Sequence, residues 1–219
     1  MDIRTVKVKE NILIENNKKA EELRKNLQEK GIFFINLMAS PGSGKTTLLV
    51  ELINRLKTKY NIGVMEADID GDVDAKRISE LTGVRAIQVH TSGACHLTAQ
   101  MVEDAIKEFD VKDLNLLILE NVGNLVCPAE FDTGSHLNVM LLSVPEGHDK
   151  PLKYPLMFKV SQIAVITKLD TLPVFKFDVE LCKEYIHRRN PNAEVYEVSA
   201  IKNQGIDELV KALEYKINR

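Results

Sequence analysis

The run Ala39-Ser40-Pro41-Gly42-Ser43-Gly44-Lys45-Thr46 follows the apolar segment 33–38 and precedes a stretch of helical periodicity. Strand, glycine-rich loop and helix in this order make a phosphate cradle. Gly42 and Gly44, with Ser43 between them, let backbone N–H groups close on phosphate oxygens without an obstructing Cβ. The helix N-terminus adds partial positive charge. Lys45 reaches the terminal phosphates, Thr46 is placed to coordinate Mg²⁺, and Thr47 completes the expected nucleotide contacts. The pattern's first position is normally Gly. Here it is Ala39, which predicts a backbone at 39 outside the left-handed region.

The segment 163–167 ends in Thr167-Lys168-Leu169-Asp170, which resembles the Asn-Lys-x-Asp element that reads guanine, with Thr in place of Asn. A carboxylate such as that of Asp170 accepts two hydrogen bonds, from guanine's ring N–H and its amino group, whereas adenine offers no such pair. The Lys168 stem can cover the base. Further on, Ser199-Ala200-Ile201-Lys202 resembles the Ser-Ala-Lys element whose backbone N–H meets guanine O6. Together these elements predict GTP.

The segment 114–120 ends in Glu120-Asn121-Val122-Gly123, where GTPases usually carry Asp-x-x-Gly. Glu120 is expected to hold Mg²⁺ through water, and Gly123 to present its N–H to the γ-phosphate. Asn124 follows, where several GTPases place a water-orienting Gln; its shorter side chain predicts slow intrinsic hydrolysis. Another segment ends in Asp68-Ile69-Asp70-Gly71-Asp72. Asp68 is the expected Mg²⁺-side acid, while Asp70 and Asp72 read equally well as a solvated turn. Lys45, Asp68 and Glu120 are thus the expected catalytic groups.

Three cysteines, Cys95, Cys127 and Cys182, cannot pair fully within one chain. In a chain with cytosolic character they read as core thiols, metal ligands or a nucleophile. Cys95-His96 follows Ser92-Gly93-Ala94 and precedes a helical segment at 97–109, a position at a helix start that would favour thiolate. Cys127 follows Glu120 by seven positions. Both lie near strand ends on the nucleotide side. Soft S and N donors suit Zn²⁺ and Ni²⁺, but the spacing is not that of a paired Cys-x-x-Cys site, and packing is an equal reading. Three ligands leave coordination incomplete, and a second subunit across a two-fold axis could complete it. Cys182 sits in an amphipathic helix and reads as a small buried hydrophobe. His90, His136, His148 and His187 are isolated and carry no assigned role.

The elements that must position these residues are legible from apolar runs at 33–38, 62–67, 84–89, 114–120, 139–144, 163–167 and 195–198, with helical segments at 45–59, 97–109, 179–189 and 206–217. Unbroken apolar strands alternating with helices imply an α/β, mainly parallel sheet covered on both faces, with ligands at the carboxyl ends of the strands. Segment 11–29 reads as a helix with Ile12, Leu13, Ala20, Leu23 and Leu27 on one side, stopped by Gly31. Segments 127–136 and 145–154 read as long loops. The 219 residues divide into an N-terminal strand/helix extension at 1–30 and a nucleotide-binding domain at 31–219. The net charge of −3 argues against nucleic acid as a partner. No apolar run is long enough for a bilayer and no signal segment opens the chain, so no membrane partner and a cytoplasmic location are expected.

Further residues carry a family resemblance: Asp74-Ala75-x-Arg77-Ile78, Ala86-Ile87-Gln88-Val89, Cys95-His96-Leu97-x-Ala99-Gln100-Met101 and Glu120-Asn121-Val122-Gly123-Asn124-Leu125-Val126-Cys127-Pro128-Ala129. Over about residues 30–219 the chain resembles the HypB family of hydrogenase-maturation GTPases that help deliver nickel. The resemblance implies a phosphate-loop NTPase of the SIMIBI type, GTP-promoted homodimerisation, and hydrolysis coupled to nickel transfer toward the hydrogenase large subunit with another accessory protein. It assigns Ni²⁺ or Zn²⁺ to Cys95, His96 and Cys127. It also raises Lys153 as a contact to the partner's nucleotide. Residues 1–31 contain neither Cys nor His, so the family's N-terminal nickel-binding or storage motifs are not expected here. The competing readings are a urease-type nickel-chaperone GTPase, whose Cys-Pro-His motif is here Cys127-Pro128-Ala129, a phosphate-loop ATPase or small-molecule kinase, and a metal-storage protein.

Overall fold

The computed structural model describes residues 8–68, 73–91 and 93–219, with side chains from residue 11 onward and without that of residue 73. Gly71, Asp70, Asp72 and Ser92 lie outside the described residues. Among the described residues the strands are β1 (Phe33–Ala39), β2 (Ile62–Asp68), β3 (Arg85–His90), β4 (Leu116–Glu120), β5 (Leu137–Ser143), β6 (Ile163–Thr167) and β7 (Glu194–Glu197). All pair in parallel, in the order β3-β2-β4-β1-β5-β6-β7. The helices are α1 (Val8–Glu29), α2 (Lys45–Leu56), α3 (Val73–Thr82), α4 (Ala99–Phe109), α5 (Cys127–Glu130), α6 (Lys150–Lys153), α7 (Pro155–Val160), α8 (Val179–Arg189) and α9 (Ile206–Ile217).

The largely apolar runs of β1, β4, β5 and β6 follow from burial on both faces, while the edge strands β3 and β7 are only partly buried. On one face Leu48, Leu52 and Ile53 of α2 and Leu209 and Leu213 of α9 pack on Ile35, Ile118 and Val165. On the other, Leu23 and Leu27 of α1 and Val102 and Ile106 of α4 pack on Phe34, Leu117 and Leu119. A third cluster joins Met157 and Phe158 of α7 with Cys182 and Ile186 of α8 over Met140 and Ile166. Cys182 is therefore the core thiol expected, and burial pushes its pKa up to about 12.

Several local expectations are corrected. α3 was not anticipated. The 127–136 and 145–154 segments are not plain loops: they hold α5, a 3-10 turn at Val144–Glu146 and α6, each with Pro in its first turn. Proline reads as a breaker in sequence but suits a helix start, where its missing N–H costs nothing. α4 begins at Ala99 because Thr98 Oγ1 accepts the Met101 N–H at 3.3 Å. The helix therefore begins two residues later than the expected 97, and Cys95 lies beyond its first turn, too far upstream for the dipole argument. In α1, Ile12 is exposed, and the buried stripe runs through Asn16, Ala20, Leu23 and Leu27. No helix among the described residues is long and apolar enough to cross a membrane.

Candidate nucleotide and metal site

β1 delivers the chain to the carboxyl edge of the sheet at Ala39, which stays outside the left-handed region as its side chain requires. Gly42 (φ +72°) and Gly44 (φ +92°) take the left-handed conformations that bend the loop, and Gly44 opens α2. Ser40 donates its hydroxyl to Glu146, whose other oxygen accepts from Ser143 N–H at 2.9 Å and Ser143 Oγ at 2.7 Å. The first turn of the loop is thereby tied to the end of β5. Lys45 Nζ lies 3.5 Å from Ser40 O, and burial lowers its pKa against the pull of Glu120 and Glu66. Ser43 Oγ is buried with no partner.

β6 brings the base-reading residues beside this loop. Thr167 Oγ1 donates to Ser43 O at 2.8 Å, and Lys168 Nζ to Gly42 O at 2.6 Å. Thr can thus stand where Asn is usual, because its hydroxyl supplies a donor to the loop. Ser199, fully buried, donates to Asp170 Oδ1 at 2.5 Å and exchanges two 3.0 Å backbone bonds with Gln204. Beside them lies a cavity of about 140 Å³ lined by Gly44, Thr47, Lys168, Asp170, Ala200 and Ile201. It is a mostly apolar slot with a carboxylate at its rim, the chemistry a guanine base needs.

β4 and β2 supply the acids. Thr46 Oγ1 donates to Glu120 Oε1 at 2.8 Å, while Glu120 Oε2 is buried with no partner. Glu66 of β2 is the register neighbour of Glu120 and is equally buried. Burial pushes both carboxyls up to about 7. With Asp68, Lys45 and Gly123 they line a cavity of about 530 Å³. An orphaned carboxylate oxygen beside a threonine hydroxyl fits a divalent cation such as Mg²⁺. Gly123 lies against Pro41 of the loop, where a Cβ would come within 3.2 Å of Pro41 N. Glu66 was missed in the sequence reading. A lone acid inside an otherwise apolar strand was its signal, but its place beside Glu120 is revealed by register alone.

Two of the three cysteines converge. Cys95 Sγ is 2.8 Å from Cys127 Sγ and 3.8 Å from His96 Nδ1, and donor atoms of the three residues lie within 4.8 Å of one another. The His96 ring stacks on Phe131 with centroids 3.8 Å apart. Burial lowers the His96 pKa, which favours the neutral imidazole that ligates metals. The neighbouring Cys95 thiol raises the pKa of Cys127. Two sulfurs and an imidazole fit a soft or borderline divalent ion and leave further positions open. Both arms of this cluster connect to the acids. Thr91 N–H donates to Asp68 O at 3.2 Å, and Thr91 Oγ1 to Ala94 O at 2.6 Å, next to Cys95. On the other arm, Asn124, at the position where several GTPases place a water-orienting Gln, accepts the Val126 N–H on its Oδ1 at 2.8 Å, shaping the turn into Cys127.

Cradle, base slot and buried switch-side acids on one parallel sheet define a phosphate-loop nucleotide-binding protein of the GTPase class. The family described as CobW/HypB/UreG, nucleotide-binding domain, matches residues 33–197. Among curated proteins, the hydrogenase maturation factor HypB of Azotobacter chroococcum mcd 1 is 46% identical over 96% of this chain and 69% of its own length. The crystal structure of HypB from Helicobacter pylori in complex with nickel superposes with a TM-score of 0.86 at 38% identity, covering 93% of this chain and 95% of that one. HypB from Archaeoglobus fulgidus gives 0.86 at 35%, covering 93% and 99%. The chain belongs to the HypB family of hydrogenase maturation factors, and its sheet is that of the SIMIBI-type GTPases.

Proposed function

We propose that this protein is a GTP-hydrolysing metallochaperone in which nucleotide state controls a nickel site. The observation that carries the reading is the pair of covalent and hydrogen-bonded routes from the phosphate-side acids to the thiols: Glu120 to Cys127 along seven positions, and Asp68 through Thr91 to Cys95. Nickel is the cargo, taken by Cys95, His96 and Cys127; Zn²⁺ suits the same donors. The match to a nickel-bound relative supports this assignment.

GTP is held by Gly42, Ser43, Gly44, Lys45, Thr46, Thr47 and Gly123 at the phosphates, and by Thr167, Lys168, Asp170, Ser199 and Ala200 around the base. Mg²⁺, bound by Thr46 with Glu120 and Asp68, supplies charge neutralisation at the phosphates. Lys45 balances developing negative charge, and Glu120 and Asp68 order as the γ-phosphate binds. With Asn124 turned toward Val126, the site lacks a side chain from that position to orient water, which supports slow intrinsic hydrolysis.

The three-donor cluster is half of a coordination sphere, which supports a GTP-promoted homodimer that completes it. Lys153, which pairs with Asp149 at 2.6 Å, is a contact toward the partner's nucleotide. The hydrogenase large subunit receives the nickel with the help of another accessory protein, in the cytoplasm, and residues 1–30 act as an extension of the GTPase domain at 31–219. Metal content and molecular size, measured with a non-hydrolysable GTP analogue, test this. Wild type should dimerise and retain nickel and Cys95→Ala should lose the metal; a nickel-replete Cys95→Ala protein overturns the reading.

A further inference from the structure

We propose that Asn16 of α1 is a positioning residue that holds the two arms of the metal cluster in register, an inference that rests on the ligand assignment above. Asn16 is 7% exposed, an amide at the N-terminal end of an otherwise apolar buried stripe. Its Nδ2 donates to Asp132 O at 2.8 Å, and its Oδ1 accepts the Ala99 N–H at 2.9 Å. Each bond reaches one arm. Ala99 opens α4 directly after Cys95-His96-Leu97-Thr98, so its N–H is one of the unpaired donors every helix start leaves, here capped from another helix. Asp132 follows Phe131, whose ring stacks on His96, and belongs to the segment that leaves Cys127.

One amide therefore closes the far end of a loop whose near end is the 2.8 Å approach of Cys95 and Cys127. The anchoring of α1 is itself firm. Arg24 grips both Asp132 oxygens at 2.9 and 2.7 Å, and Gly134 is pressed against Ala20 and Leu23. Lys19 reaches Glu103 of α4 at 2.8 Å. Asn16 bonds both segments through one side chain. Such outer-sphere contacts hold first-sphere ligands in place, and their loss typically costs about 10–100-fold in metal affinity. A consequence is that a displacement of α1 would be felt at the thiols.

The test uses the full chain with Ni²⁺, following affinity by chelator competition and the nickel–thiolate charge-transfer absorption, in wild type, Asn16→Ala, Asn16→Asp and Cys95→Ala. Asn16→Ala should lower nickel affinity by about tenfold or more and alter the absorption band, with GDP affinity unchanged. Asn16→Asp keeps the acceptor for Ala99 N–H but sets a carboxylate oxygen against Asp132 O, so it should lower nickel affinity at least as much as Asn16→Ala. Wild-type nickel affinity and band in Asn16→Ala, alongside loss of both in Cys95→Ala, overturn the inference and leave the ligand assignment standing. An equal fall in GDP affinity, the mark of a merely structural role, overturns it as well. Nickel binding unaltered in Cys95→Ala overturns the ligand assignment itself.

Discussion

Thr46 Oγ1 donates to Glu120 Oε1 at 2.8 Å, joining the first turn of α2 to the last residue of β4. The phosphate-loop hydroxyl and the acid that begins the Cys127 segment are thus one hydrogen-bonded unit. Whatever draws Thr46 toward a phosphate-bound cation pulls on the strand end that leads to the metal cluster. Glu120→Gln keeps the shape and removes the charge. It should leave GDP affinity in the absence of Mg²⁺ within about threefold and lower kcat for GTP by about 10²-fold. Single-turnover hydrolysis at saturating GTP measures this, and an unchanged kcat would remove Glu120 from the reaction.

Asp170 should set base choice. Asp170→Asn replaces the acceptor pair with a group that suits a base carrying a carbonyl where guanine has its amino group. GTP affinity should drop by about 10²-fold or more, and xanthosine triphosphate should become the tighter ligand. Ser199→Ala, which removes the 2.5 Å bond orienting that carboxylate, should cost about tenfold. Competition binding with GTP, XTP and ATP distinguishes these outcomes; tight ATP binding by wild type would exclude a guanine slot.

Gly205 fixes the loop that carries Ser199. Its φ is +70°, and a Cβ there would come within 2.0 Å of Glu197 O. Gly205→Ala should destabilise the fold by about 3 kcal/mol, from backbone strain plus the clash. Urea unfolding gives the number, and a loss below 0.5 kcal/mol would show that the loop yields without cost.

Much of this was legible in advance. The runs at 33–38 and 163–167 could be read as strands because both faces are covered, so they are almost wholly apolar; Asn36, the exception in the first, is buried and bonded to Asn138 and Asn121. The glycines and Lys45 advertise their chemistry through backbone freedom and charge. What stayed hidden depends on contacts between distant residues. Glu66 matters because β2 and β4 pair in the register that sets it beside Glu120. Asn16 looked like one polar residue among many on α1, since its partner Asp132 lies 116 positions away. The short helices α5 and α6 were hidden by prolines that mark their starts. Thr98 caps α4 so that it begins at Ala99 rather than at residue 97, which sets the helix start farther from Cys95 than the periodicity implies.

His136 should give stability a pH dependence. Its Nδ1 accepts the Phe34 N–H at 2.9 Å, which requires an unprotonated nitrogen, and burial with the nearby Arg24 charge lowers its pKa below the usual 6.5. Below that value the unfolded chain binds a proton that the folded chain refuses, so stability falls as pH drops through 6.5 toward the folded pKa. Above it this contribution is fully present. Urea midpoints at pH 7.5 and 5.5 should differ more for wild type than for His136→Gln; equal differences would take His136 out of the linkage.

The central claim is that nucleotide state and metal affinity are one coupled equilibrium, running through Glu120 to Cys127 and through Asp68 and Thr91 to Cys95. Its most direct measurement is the nickel Kd of the full chain with Mg²⁺ and either GDP or a non-hydrolysable GTP analogue. A coupling free energy of about 1–3 kcal/mol predicts Kd values that differ by at least about fivefold between the two nucleotides. Identical nickel affinities with both would contradict the account.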